Sequence, residues 1–226
     1  SATGRPKPSQ RDGITSTDCD QVNKAILATE MEQKHDGLDW DGPKCPTGLV
    51  PSQYVYAEPW ETDAPPWAVV PSGGAAWALA NQYAQTGRGS AQGYAAHPAV
   101  PGQATLTMNA PVMVPDADNV FLWFAQAYRL EADGDGFYDG GVVEYSTDGG
   151  TTWIDALTLP TIGTIYDGPI STEYGNPLGG RMAYSGSSPG YGSTQISLDS
   201  LRGQQLQVRF VVANDAGGSA AGWTID

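Results

Sequence analysis

Glycine and proline interrupt this chain too often for long helices to run through it. The 226 residues include 29 Gly and 17 Pro, and five Gly-Gly pairs fall after residue 53. Such punctuation favours short strands joined by turns. The acids point the same way: of the 25, 18 are Asp and 7 are Glu, and Asp prefers turns to helix interiors. The formal net charge of −14 repels phosphate backbones and argues against nucleic-acid partners. No apolar run approaches the roughly 20 residues that cross a bilayer as a helix. A 40% apolar composition with seven Trp excludes disorder over the whole length.

Two regions differ in character, and the reading divides them at residue 53. Residues 1–53 look like a leader or linker. Within them, Asp18 and Gln21 form a capping pattern before Val22, Ala25, Ile26 and Thr29, which predicts one short helix ending near Lys34. Cys19 and Cys45 are the only cysteines. An even count in an acidic, lysine-poor chain suggests one disulfide and an extracytoplasmic setting, with two free thiols as the alternative. Because the chain opens on Ser1 and stops at Asp226 inside a strand-like pattern, a fragment of a longer precursor is the simplest expectation.

Residues 54–226 read as an all-β sandwich. Leu206, Val208, Phe210 and Val212 alternate with polar residues, as do Leu106 and Met108, which marks half-buried strands. Val120 to Tyr128 begins apolar on both faces and predicts a central strand. Val142–Ser146, Thr147-Asp-Gly-Gly150 and Thr151–Ile154 predict a hairpin whose glycines supply positive φ, with Trp153 stacked on its base. The small-residue run Gly73–Tyr83 has room for one helical turn. This region holds 5 Arg, no Lys and 17 acids, a net −12.

Several motifs, in order, resemble a known kind of domain. They are Asp139-Gly-Gly-Val-Val-Glu144-Tyr-Ser-Thr-Asp148-Gly-Gly-Thr-Thr-Trp153, Gly180-Arg-Met-Ala-Tyr-Ser-Gly186, Ile196-Ser-Leu-Asp-Ser-Leu201-Arg-Gly203, Val208-Arg-Phe210 and Gly222-Trp-Thr-Ile-Asp226. Together with Trp60-Glu61, Trp67 and Trp77, they resemble the MAM-like or cleaved-adhesin (choice-of-anchor) jelly-roll domains of secreted bacterial proteins, as in immune-inhibitor-A-type metallopeptidases. The resemblance covers roughly residues 54–226. It implies a jelly roll whose last strand continues past Asp226, and a calcium ion held in part by Glu61 and Asp226. The residues themselves suggest a second calcium loop. Glu131-Ala-Asp133-Gly-Asp135-Gly-Phe-Tyr-Asp139 places acids at alternate positions between glycines, and Glu144 stands twelfth from Asp133 as a bidentate ligand would. A solvated acidic turn is the plain alternative.

Catalytic signatures are missing. Only His35 and His97 exist, and no HExxH occurs. The nucleophile-elbow pattern Gly186-Ser-Ser-Pro-Gly190 puts Pro189 where an oxyanion-hole N–H is needed. A carboxylate pair for glycoside hydrolysis cannot be located by spacing alone. The leading expectation is therefore a non-catalytic, calcium-stabilised extracellular module for attachment or substrate positioning, meeting a glycan or protein partner at a cell surface. A carbohydrate-binding module with Trp60, Trp67 and Trp77 as its platform is the second reading. An accessory domain of a secreted hydrolase or peptidase is the third.

Overall fold

The computed structural model describes residues 54–226 apart from 64, 82, 83, 135 and 219. The expected helix near Asp18–Lys34 and the Cys19–Cys45 disulfide lie outside the described residues. Val55–Asp226 forms one compact unit. It is nearly all β, with two single-turn 3-10 helices, at Ala156–Thr158 and Asp199–Leu201, and no α-helix among the described residues.

The early strands are β1 (Trp67–Val70), β2 (Ala75–Ala80), β3 (Ser90–Ala95), β4 (Gly102–Met108), β5 (Val112–Met113) and β6 (Phe121–Arg129). Then come β7 (Gly140–Ser146), β8 (Ile154–Asp155), β9 (Thr161–Gly163), β10 (Gly168–Pro169) and β11 (Met182–Ala183). The last three are β12 (Gly192–Ser197), β13 (Gln205–Asn214) and β14 (Gly222–Ile225). One antiparallel sheet runs β1-β4-β13-β7-β8, with β5 on the end of β13; the other runs β2-β3-β14-β6-β12-β9.

The two sheets share one core. Ala104, Leu106 and Met108 of β4 and Leu206, Val208, Phe210 and Val212 of β13 face Trp77, Phe124, Ile196 and Trp223 of the other sheet. Phe210 is the hub, its ring 5.2 Å from Phe124, 5.7 Å from Trp223 and 5.8 Å from Trp67. The polar residues between these positions point away from the core, which is why the period-2 pattern was legible. β7 is buried throughout because its second face is covered too. Val142 packs with Val211 and Ala213 under Ile170, Leu178 and Ala183, which belong to the excursion carrying β10 and β11.

β6 is an interior strand, between β14 and β12. The β7–β8 hairpin pairs Glu144 with Asp155 and Tyr145 with Ile154. Its turn uses Gly149 at φ 72° and Gly150 at φ 84°, and the Asp148 carboxylate accepts the Thr152 N–H at 2.9 Å. Trp153 meets the Arg209 guanidinium, 4.3 Å from the ring centroid, a cation–π contact. Gly73–Tyr83 departs from expectation, since Ala75–Ala80 is a strand. Helix-prone alanines yield there to tertiary packing. Trp77 lies against Gly93 of β3, where a Cβ would come within 2.9 Å of the indole.

Candidate metal centre

Two carboxylates of the β6–β7 loop and a third from the end of β13 converge at one end of the sandwich. Glu131 follows β6, Asp139 immediately precedes β7, and Asp215 immediately follows β13. The register Ala213↔Gly140 sets Asp215 beside Asp139. One oxygen from each of the three lies within 4.8 Å of the others.

Backbone hydrogen bonds hold the group in place. The Glu131 carbonyl accepts the N–H groups of Tyr138 at 3.0 Å and Asp139 at 3.1 Å. The Asp139 Oδ1 accepts the Asp215 N–H at 3.1 Å, and Asp215 Oδ1 accepts the Gly217 N–H at 2.6 Å. Ser185 Oγ donates to the Asp139 carbonyl at 2.6 Å. Gly217 and Gly218 then wrap closely over the acids. A Cβ on Gly218 would stand 2.6 Å from Glu131 Oε1, and one on Gly217 would stand 2.8 Å from Asp215 Oδ1.

The electrostatics are unbalanced. Asp139 and Asp215 are each 3% exposed, and Glu131 Oε2 is buried without a hydrogen-bond partner. No ion pair among the described residues reaches any of the three. Burial first, and then the neighbouring Asp215 and Glu131 charges, push the Asp139 carboxyl up to about 7, against the pull of the Asp215 N–H. Clustered hard oxygen donors without a cationic side chain suit calcium or a similar cation, which takes carboxylates, carbonyls and waters. The adjoining cavity, lined by Asp139, Asn214, Tyr94 and Leu130, has a volume of about 10 Å³, too small for an organic ligand.

The acids singled out by sequence go to different places. Asp139 joins the cluster. Asp133 Oδ1 accepts the Gly136 N–H at 3.2 Å and the Tyr138 hydroxyl at 3.0 Å, shaping the turn outside the cluster. Asp135 lies outside the described residues. Glu144 does not complete a calcium loop. Residues 140–146 are a strand, so five residues carry it roughly 16 Å from Asp139 at about 3.3 Å each. There Glu144 is held by Arg181 at 2.7 Å and Arg209 at 2.6 Å, while Arg181 also binds Asp155 at 2.7 Å.

Glu61 and Asp226 do meet a common element, the turn 85–89. Asp226 Oδ2 accepts the N–H groups of Gln85 at 2.6 Å and Thr86 at 2.9 Å, and Oδ1 accepts the Thr86 hydroxyl at 3.0 Å. Glu61 Oε1 accepts the N–H groups of Arg88 at 2.7 Å and Gly89 at 3.2 Å, which hold its carboxyl below the usual range. Both therefore act as acceptors for backbone amides in this structure. Asp215 was missed by the sequence reading. Its signal is an Asp at a strand end just ahead of a Gly-Gly pair, the pattern that Asp139 and Asp148 also show.

The tryptophan platform does not survive the structure. Trp60 and Trp77 are 4% and 6% exposed. Trp67 packs on Trp60 and Phe210 and donates its Nε1–H to the Tyr56 hydroxyl at 2.8 Å. Trp60 and Trp77 belong to the core, and the half-buried Trp67 packs against it. Ser188 of the elbow-like motif is tied to Tyr128, donating its N–H to the carbonyl at 2.9 Å and accepting the Tyr128 N–H at 3.0 Å. The chain matches no protein-family model, and no curated protein matches it.

Proposed function

We propose that residues 54–226 form a non-catalytic, calcium-stabilised jelly-roll module of a secreted or cell-surface protein, serving attachment or substrate positioning. The observation that carries this is the Glu131, Asp139 and Asp215 cluster, with two carboxyls buried and Glu131 Oε2 unpartnered. A cation would neutralise the mutual repulsion of the three acids and coordinate the unpartnered oxygen. The motifs behind the jelly-roll resemblance support the same reading, because they fall on β7, the β7–β8 turn, β13 and β14. An extracellular setting supplies the calcium such a site needs, since extracellular modules bind it with Kd on the order of 10⁻⁴ to 10⁻³ M.

Calorimetric titration of the full chain with calcium tests the proposal. One site of that affinity per chain is expected, lost in Asp139→Asn. Absence of binding heat at millimolar calcium, or binding unaffected by Asp139→Asn, would defeat it.

A further inference from the structure

Glu131, Asp139 and Asp215 stand where the chain crosses between the two sheets. Glu131 lies at the start of the crossing from β6 to β7 and Asp139 at its end, while Asp215 begins the crossing from β13 to β14. β6 and β14 belong to one sheet, β7 and β13 to the other. A cation held by all three acids would tie one sheet to the other. Without it their mutual repulsion, at oxygen separations within 4.8 Å, acts across the sheets and pushes this end apart.

Packing at this end is thin. Ala75, Ala95, Ala220 and Gly222 line much of the small cavity between the sheets there, and such short side chains bury little apolar surface. Deeper in, the contact is close. Trp223 lies against Gly141, where a Cβ would overlap the indole, and the rings around Phe210 follow. The far end rests on those rings and on the ladder that joins β12 to residues 121–126 of β6.

A second buried group points to the same ion. Asn214 is 2% exposed, and its side-chain amide donates to the carbonyls of Val100 at 2.9 Å and Asp215 at 2.7 Å. Its Oδ1 has no hydrogen-bond partner among the described residues, and Asn214 lines the same cavity as Asp139. With Glu131 Oε2, two buried oxygens at this end lack a donor, whereas buried acceptors are ordinarily satisfied. A cation meets Glu131 directly and Asn214 through a water of its own shell, for which a cavity of about 10 Å³ has room.

We infer that the cation is a clasp between the two sheets, an inference that rests on the calcium reading above. Calcium closes this end of the sandwich. Its removal opens the two crossings and the adjoining ends of β6 and β14, while the far end stays folded. Asp139 and Asp215, each 3% exposed, shield the ion from a bound partner, so it sets the shape of the module rather than touching a ligand. The closed state thereby depends on the calcium around the protein.

Hydrogen exchange on the full chain, in calcium and in chelator, tests this alongside the calorimetric titration. In chelator, residues 129–131, 138–140, 213–217 and 222–223 should exchange about tenfold faster, the mark of local opening. Residues 121–124, 194–197 and 205–208, at the far end, should stay within about twofold of their rates in calcium. Glu131→Gln removes the one acid on the β6 side. It should make exchange insensitive to calcium, and in chelator this end should open less than in the unmutated chain. Calcium binding heat with exchange that changes equally at both ends, or at neither, would overturn the clasp and leave the calcium reading standing. A Glu131→Gln chain that opens as far as the unmutated one in chelator would overturn it as well. Absence of binding heat would overturn both.

Discussion

The two lateral halves of the sandwich handle charge in opposite ways. From β1 to β5 the chain itself carries one charged residue, Arg88, with Glu61 and Asp226 bonded to the turn between β2 and β3, whereas every acid of residues 54–226 other than Glu58, Glu61 and Asp63 falls from Asp116 onward. Acidity within residues 54–226 is therefore local. Within the acidic half it divides again by what each carboxylate faces. Glu144, Asp155, Asp118 and Asp199 meet arginines. Asp148 and Asp133 accept hydrogen bonds from their own turns. Glu131, Asp139 and Asp215 gather without a counter-charge. An arginine-paired carboxylate has its charge met within the fold, whereas the three unpaired ones are the basis of the proposed cation site.

Breaking the arginine pairing should have the largest effect. Arg209→Ala removes one of the two guanidiniums on Glu144, a side chain 7% exposed, and the Trp153 contact with it. A loss of about 3 kcal/mol in urea unfolding is expected, the scale for leaving a buried charge under-compensated. A middle-sized effect should come from Gly218→Ala, which crowds Glu131 Oε1. Calcium affinity should fall about tenfold, roughly 1.4 kcal/mol, with little change in stability under chelator.

The smallest effect concerns Asp148. Hydrogen bonds from the Thr152 hydroxyl and N–H, and from Ser146, lower its carboxyl from 3.8 to about 2. A depressed folded-state value means that the stabilisation is present above 3.8 and disappears as pH falls through about 2. Asp148→Asn should flatten that part of the acid-unfolding curve and leave neutral pH nearly unchanged. An Asn variant with the parent's acid profile would show that the turn does not depend on the charge.

Much of the framework was legible because short-range patterns encode it. The alternation in β4 and β13 and the Asp-Gly-Gly turn before β8 depend only on neighbours along the chain. β2 gave no strand signal because its alanines carry a local helical preference that the packing of Trp77 on Gly93 overrides. Whether the tryptophans form an exposed platform or pack in the core was open in the sequence, since side-chain count says nothing of which face is inward. The acidic site was half legible. Asp139 and Glu131 share one loop, but Asp215 arrives only through the pairing of β13 with β7. Glu144 had the right spacing for a loop that the protein folds as a strand.

Thermal unfolding of the full chain in calcium and in chelator tests the central claim most directly. Calcium at about 100 times Kd adds roughly 2.7 kcal/mol, which should raise the midpoint by about 5 to 10 °C in a domain of this size. Asp139→Asn should abolish that difference. Equal midpoints with and without calcium in the unmutated protein would contradict the account.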